Sequence, residues 1–290
     1  MVVFMSEEIT SRKNDVVKYA ASLLTPKGRK KEGAYRFDGV KLFAEAYRCG
    51  VKIDTVLLRS ETSEQMLSEM DRRCAGWREE LSARVILIKD SAFAVISEEN
   101  APEGIICIAK SLDKSEKSGT IIRRENFSRE KSFNNMRKKI MAAESLRDPG
   151  NLGTVIRTCI AFGVDELWLS SDCADVLSSK VIRSSMGAVF ALNVRVKEDL
   201  TEALVALKDE GYRILATALY RDSVALSKAK LGEKDVFVIG NEGHGLSDRM
   251  LSAADLCVYI DMYSGPGCES LNAAVAAAVC AWEQKRQTEK

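Results

Sequence analysis

Apolar runs and amphipathic stretches alternate through the second half of this chain, and that alternation restricts its fold more than any other feature. Strands are predicted at Ile140–Ala143, Leu167–Ser170, Ala191–Val194, Ile214–Ala218, Val236–Ile239 and Cys257–Ile260. Helices are predicted at Leu152–Phe162, Ser178–Met186, Asp199–Glu210, Leu246–Ala253 and Ser270–Glu283. Strands that alternate with helices pair in parallel, because each crossover carries the chain back to the same end of the sheet. The expectation is an α/β domain with a six-stranded, doubly wound parallel sheet. Such sheets bind ligands beyond the carboxyl ends of their strands. The glycine-rich turns after Ile239 and Ile260 lie at such ends.

The first half alternates less regularly. A helix is predicted over Ser11–Leu24, capped by Ser11, with Val16, Val17, Ala20, Leu23 and Leu24 on one side and Pro26 and Gly28 ending it. A helix at Gly39–Cys49, a strand at Thr55–Leu58, a charged helix at Ser63–Leu81 and strands at Val85–Ile88 and Ile105–Ala109 follow. Together they suggest an α/β/α sandwich. From Lys110 to Lys138 the composition turns polar and serine-rich, as in a linker, with an edge strand at Ile121–Ile122. The expected organisation is therefore a first domain over 1–110, a linker over 111–137 and a second domain over 138–290.

Charge is close to balanced, with a net of +1, but it is unevenly spread. Residues 1–137 carry 25 lysines and arginines against 21 acidic residues, and residues 138–290 carry 18 against 21. Lys27, Arg29, Lys30 and Lys31 cluster in the basic half. They are either a solvated loop or a patch that contacts phosphates. Eight cysteines without a CxxC pair and a single histidine, His244, lack the usual zinc spacings, so no metal is expected. Scattered cysteines suggest reduced thiols and a cytoplasmic protein. The start, MVVFMSEEIT, has no basic segment ahead of an apolar one, so no signal peptide is expected. Ala273–Trp282 is too short to span a membrane.

Three stretches could carry chemistry. In Asp148-Pro149-Gly150-Asn151-Leu152-Gly153-Thr154-Val155-Ile156-Arg157-Thr158 a turn precedes a helix, with Asn151 as its expected N-cap. Arg157, six residues on, is an ion-pair partner or an anion ligand. In Ile239-Gly240-Asn241-Glu242-Gly243-His244-Gly245-Leu246, three glycines directly after a strand allow close backbone approach to a ligand. The spacing is neither that of a Walker A loop nor GxGxxG. His244, between glycines, is a loop residue or a base. The third stretch, Glu269-Ser270-Leu271-Asn272, opens an alanine-rich helix with polar groups that serve as a cap or meet a ligand.

Taken together, these stretches resemble the three motifs of the SPOUT class of RNA methyltransferases, in its SpoU/TrmH-like branch: DPGNLGTVIRT, VIGNEGHGL and ESLNAAVAAAV, in that order. Arg183-Ser184-Ser185-Met186-Gly187-Ala188 resembles the helix between the first two motifs. The first half is similar to an L30e-like RNA-binding domain through SRKNDVVK and Phe37-Asp38-Gly39. The resemblance implies a deep trefoil knot in the second domain, a homodimer packed through it, and S-adenosyl-L-methionine as cofactor. It implies methyl transfer to a ribose 2′-hydroxyl of rRNA, or of tRNA. The residues implied in catalysis are Asn151, Arg157, Glu242, Ser270 and Asn272. Those implied at the cofactor are Ala218, Ile239, Gly240, Gly243, Ile260, Met262, Ser270 and Leu271. RNA would be met by Lys27, Arg29, Lys30 and Lys31. The alternatives are a base acceptor and a non-catalytic RNA-binding or ribosome-assembly factor. The chain departs from the pattern at Asp261, where the family has proline, and in a longer loop, Tyr263 to Cys268.

Overall fold

The computed structural model describes residues 3–4, 8–98, 103–110, 120–122, 138–220, 222–263 and 270–289. Its first half runs β1 (Val3–Phe4), α1 (Asp15–Ser22), α2 (Pro26–Glu32), β2 (Ala34–Asp38), α3 (Val40–Arg48), β3 (Ile53–Arg59), α4 (Ser63–Arg73), α5 (Trp77–Glu80), β4 (Arg84–Ile88), α6 (Asp90–Ile96) and β5 (Ile105–Lys110). The sheet order is β1-β4-β3-β5-β2. β5 runs antiparallel to both its neighbours and the other pairs are parallel. Successive strand residues point to opposite faces. Leu57, Ile86, Ile106 and Ile108 pack with Val17 and Ala20 of α1 and Phe93 and Ile96 of α6. Val56, Leu58, Val85 and Cys107 pack on the other side with Phe43 of α3, Met70 of α4 and Trp77 of α5. Helices thus cover both faces.

Local chemistry moves several boundaries. α1 starts at Asp15 rather than after Ser11, because Asn14 is the cap and its Oδ1 accepts the Val16 N–H at 2.9 Å. The basic cluster is no loop: Pro26 opens α2, whose N–H of Gly28 is capped by Thr25. The single helix expected over Ser63–Leu81 is two, broken at Cys74–Gly76, where Gly76 takes φ +85°. β2 escapes the apolar pattern because Arg36 sits in its middle. That arginine is only 1% exposed; its Nη2 donates to both Asp38 carboxylate oxygens at 2.8 Å and its Nη1 to the Ile96 carbonyl at 2.5 Å.

The second half contains β7 (Ile140–Ala143), α7 (Pro149–Phe162), β8 (Glu166–Ser170), α8 (Ser179–Ser184), β9 (Asn193–Lys197), α9 (Leu200–Ala206), β10 (Arg213–Thr217), β11 (Val224–Ala225), β12 (Asp235–Ile239), α10 (Asp248–Ala253), β13 (Leu256–Tyr259) and α11 (Ala273–Thr288). It also takes up β6 (Thr120–Ile122), the edge strand expected inside the linker; the rest of 111–137 lies outside the described residues. The order is β11-β13-β10-β12-β7-β8-β9-β6. The sheet is therefore eight-stranded rather than six-stranded. Seven strands are parallel, the short β11 adds one edge, and β6 pairs antiparallel with β9 at the other. β9 begins at Asn193 rather than Ala191, because Ala188–Phe190 wind into a 3₁₀ turn after Gly187.

The sheet starts in its middle. Adjacent strands β7 and β12 send their following helices to opposite faces: α7 packs with Met141, Leu167 and Ile239, and α10 with Ala142, Val236 and Val238. A crevice opens where such loops diverge. α11 follows the last strand, β13, yet lies on α7, which follows β7. Its far end is fixed to the segment ahead of β12. Gln284 Nε2 donates to the carbonyls of Gly232 (3.0 Å) and Asp235 (2.8 Å), and Gln287 binds Ala229 and Leu231. Among the described residues no helix is long and apolar enough to cross a membrane.

Candidate active site

The first motif forms the β7–α7 loop and the opening turns of α7. Its helix starts earlier than expected. Asp148, not Asn151, is the N-cap: its Oδ1 accepts the Asn151 N–H at 2.8 Å, and Pro149 takes the first helical position, where no N–H is needed. The correction matters chemically, because it frees the Asn151 side chain. Leu152, Gly153, Val155, Ile156, Thr158 and Cys159 of α7 are buried. Asn151, Thr154 and Arg157, at steps of three, form one solvent-facing stripe. Arg157 makes no hydrogen bond or ion pair with any described residue. An exposed arginine with no partner among the described residues is available to an anion.

Asn151 ties the three motifs together. Its Nδ2 donates to Glu242 Oε1 in the second motif, and its Oδ1 accepts from Asn272 Nδ2 at 2.9 Å in the third. The amide orientation is set by chemistry, since a carboxylate only accepts. Asn272 is itself the N-cap of α11, with its Oδ1 accepting the Ala274 and Val275 N–H groups at 2.9 and 3.3 Å. Cap and site residue are therefore the same side chain. Ser270 is exposed just ahead of it. Gly265, Gly267 and Glu269 lie outside the described residues, as does most of the Tyr263–Cys268 loop.

The crevice is held by residues the sequence did not single out. Asn241 Nδ2 donates to the Ser145 carbonyl at 2.9 Å, and Asn241 Oδ1 accepts the Gly243 N–H at 2.8 Å. Glu144 accepts both the N–H and the hydroxyl of Ser247 at 2.8 Å, joining the β7 loop to α10. Ser145 stands at φ +55°, bonded to Ser170 and Asp172. Burial pushes the Asp172 carboxyl up, but bonds from Ser170, Ser145 and Arg147 outweigh it and hold the pKa at about 2. Only the Gly-Asn pair at 240–241 carried a readable turn signal.

The residues expected at the cofactor converge on three neighbouring strand ends. Ala218 follows β10, Ile239 ends β12 with Gly240 next, and Ile260 and Met262 follow β13, in the order β13-β10-β12. Ile239 is buried, Ala218, Ile260 and Leu271 are half-buried, and Met262 and Gly243 are exposed. A Cβ on Gly240 would lie 2.7 Å from the Gly245 carbonyl carbon, so this tight turn requires glycine. Asp261, the departure from the pattern, bonds Ser227 Oγ at 2.6 Å and so turns away to the crossover. His244 is an exposed loop residue whose N–H meets Asn241 Oδ1 at 3.3 Å. Cys159, the thiol on α7, is pushed up to about 12 by burial and offers no thiolate for covalent chemistry. Among the described residues no group of three His, Cys, Asp or Glu could hold a metal.

In the basic cluster, Lys27, Lys30 and Lys31 are exposed on α2. Arg29 is not: it is 7% exposed and committed to Asp175 and to the backbone carbonyls of Leu23 and Leu24 just past α1, so it cannot serve as a phosphate contact.

Residues 138–282 match the SpoU rRNA Methylase family, and residues 14–107 match the MRM3-like substrate binding domain. The chain is 29% identical over 273 residues to the 23S rRNA (guanosine(2553)-2′-O)-methyltransferase RlmP of Bacillus subtilis, covering 94% of this chain and 97% of that protein. It superposes on the AdoMet-bound rRNA methyltransferase of Sinorhizobium meliloti with a TM-score of 0.74 at 25% identity, covering 97% of each chain. An RNA 2′-O ribose methyltransferase structure gives a TM-score of 0.72 at 25% identity, over 97% of this chain and 99% of that one.

Proposed function

The chain belongs to the SpoU rRNA Methylase family, and we propose that it transfers a methyl group from S-adenosylmethionine to a ribose 2′-hydroxyl of ribosomal RNA. One observation carries the reading. Asn151 joins all three motif loops through Glu242 and Asn272, while Arg157 on the same stripe is exposed and has no partner among the described residues. The activities of the relatives that match over nearly their whole length support the same chemistry.

The strand-end surface suits S-adenosylmethionine: apolar side chains of Ile260 and Met262, and exposed glycine backbone at Gly243. When bound, the sulfonium supplies an electrophilic methyl that needs no metal. What remains for the protein is to position and activate the hydroxyl. Arg157 is a poor base, since guanidinium keeps its proton to above about pH 12. Its role here is to clamp the phosphate next to the reacting ribose bidentately and to stabilise charge as the 2′-oxygen gives its proton to water and takes the methyl, S-adenosylhomocysteine leaving. Glu242 and Asn272 hold Asn151 so that its loop keeps the opening of α7 in place. Ser270 faces the acceptor beside them. Arg157→Ala should abolish transfer while S-adenosylmethionine still binds with near-normal affinity. Loss of cofactor binding in a folded variant would sink this assignment.

Lys27, Lys30 and Lys31 extend the RNA contact over the first domain, taken as 1–110 and joined through 111–137 to a methyltransferase domain at 138–290. A homodimer packed through α11 is part of the same proposal. Val275 (48% exposed) and Trp282 (52%), seven residues apart, lie on one side of that helix. A monomer in sedimentation at micromolar concentration would remove it. A trefoil knot in this domain belongs to the same proposal, supported by the packing of α11 on α7 and its hydrogen bonds to the segment ahead of β12. A main-chain trace passing outside that segment would contradict the knot.

A further inference from the structure

The stretch from Asp175 to Phe190, containing α8, stands between the two halves of the molecule and touches both. On one side it meets the first half at four places. Arg29 of α2 donates from Nε and Nη2 to Asp175 Oδ2 at 3.0 and 2.6 Å. Its Nη1 is fixed by the carbonyls of Leu23 (2.7 Å) and Leu24 (3.0 Å). Glu98, beyond α6, accepts from Ser179 Oγ and pairs with Arg183 at 3.6 Å. Gly187, at φ +85°, lies so close to α3 that a Cβ there would be 2.7 Å from the Cβ of Glu45. Phe190 and Phe37 of β2, both buried, pack tilted at 57°, with 5.0 Å between ring centroids.

On its other side the same stretch grips the first motif. Ser184 Oγ lies 3.0 Å from the Pro149 carbonyl, in the opening turn of α7, and shares its one proton between that carbonyl and those of Lys180 (2.8 Å) and Val181 (3.1 Å). Gly153 lets α8 approach: a Cβ there would fall 1.8 Å from Ser184 Oγ and 2.8 Å from the Ser185 nitrogen. The basic helix α2 is therefore linked to the Asn151–Arg157 stripe through one short, close-packed element. The two halves also share a single continuous apolar cluster across it. Interiors packed this closely transmit displacement rather than absorb it.

We propose that residues 175–190 form a rigid coupling that sets where the RNA-holding half stands relative to Arg157. Arg29, Asp175 and Glu98 are then positioning residues for methyl transfer, and the first half is a fixed arm rather than a tethered module. This rests on the reading of the chain as an rRNA methyltransferase. A buried ion pair does not owe its place to stability alone: replacing such a pair with apolar groups is often neutral. What Arg29 adds is direction, since its planar fork fixes α2 against Asp175 in one orientation.

The test uses the full-length chain with unmodified rRNA transcript and tritiated S-adenosylmethionine, in wild type, Arg29→Ala, Arg29→Lys and Glu98→Gln. For Arg29→Ala, cofactor and RNA dissociation constants should stay within about threefold while kcat falls about tenfold or more, because a misplacement of about an ångström at the reacting atoms is enough. Small-angle scattering should show a larger radius of gyration for this variant. Arg29→Lys, which keeps a charge on Asp175, should recover part of kcat. If Arg29→Ala does not fold, Glu98→Gln, at a half-exposed site, gives the same split between kcat and binding. An unchanged kcat in Arg29→Ala, or a loss of RNA binding with kcat intact, overturns the coupling. A wild type that transfers no methyl refutes the functional reading instead. The coupling is then decided by scattering, and a profile unchanged by Arg29→Ala overturns it.

Discussion

Asn151 offers the sharpest perturbation, because an amide there does what neither alanine nor aspartate can. Its Nδ2 donates to Glu242 and its Oδ1 accepts from Asn272. Asn151→Asp keeps the shape and the acceptor but loses the donor, and it sets a second carboxylate against Glu242. A hydrogen bond to a charged group contributes about 1.5–3 kcal/mol. Two like charges about 4 Å apart repel by about 1 kcal/mol in water and about 4 kcal/mol at an effective dielectric of 20. Glu242 is exposed, so the lower repulsion applies, and the sum is about 3 kcal/mol. If the arrangement is needed in the transition state, this is about a 100-fold loss in rate. Asn151→Ala, with no repulsion, should lose less. Glu242→Gln alone should be mild, since its amide oxygen still accepts from Asn151. In the double variant Asn151→Asp/Glu242→Gln the polarity of the pair is reversed, because the glutamine amide donates to the aspartate. At least about tenfold of the lost rate should return, a coupling of about 1.4 kcal/mol. The assay is single-turnover transfer of labelled methyl to rRNA, with cofactor binding and Tm measured in parallel. Additive losses, with the double variant worse than either single one, would refute the relay.

Three further outcomes follow from the same geometry. Gly153→Ala should lower stability by about 1–3 kcal/mol through overpacking, and Ser184→Ala should not rescue it, since the Ser184 Cβ and Ser185 nitrogen also lie 2.8 Å from the new methyl; an unchanged Tm would count against close α7–α8 packing. Asp172, held at about 2 against an ordinary value of 3.8, contributes stability that is present above pH 4 and lost as pH falls through 2. Because the group is well exposed, this amounts to no more than about 1 kcal/mol, and acid titration of Asp172→Asn should lack it; parallel curves would contradict the assignment. Changing Lys27, Lys30 and Lys31 together to alanine should weaken rRNA binding and reduce the slope of log affinity against log salt by roughly 2; an unchanged slope would return the cluster to a solvent-facing role.

The alternation of apolar runs with amphipathic stretches made the parallel sheet legible, because strand–helix repetition leaves few other ways to bury both faces. The three motifs were legible as strand ends followed by glycine and short polar groups. What they do to one another was not. Asn151 reads as an N-cap by residue type, yet Asp148 with Pro149 takes that role by position, and Asn151 turns to Glu242 and Asn272. Arg29 is indistinguishable in sequence from Lys27, Lys30 and Lys31. Only the partner at Asp175, 146 positions away, separates a buried ion pair from an exposed cation. The extra edge strand β11 is two residues long, too short for any period to register. Ser145, Asp172 and Glu144 organise the crevice through long-range bonds that leave no local pattern.

The central claim is a methyl placed on a ribose oxygen, and the most direct measurement is where the label goes. Unmodified rRNA is incubated with the wild-type chain and methyl-labelled S-adenosylmethionine, then hydrolysed in alkali, which cleaves only next to a free 2′-hydroxyl. The account predicts label in one alkali-resistant dinucleotide, at one site, and none with Arg157→Ala. Label released with mononucleotides would place the methyl on a base, and no incorporation by a folded protein that binds S-adenosylmethionine would contradict the account outright.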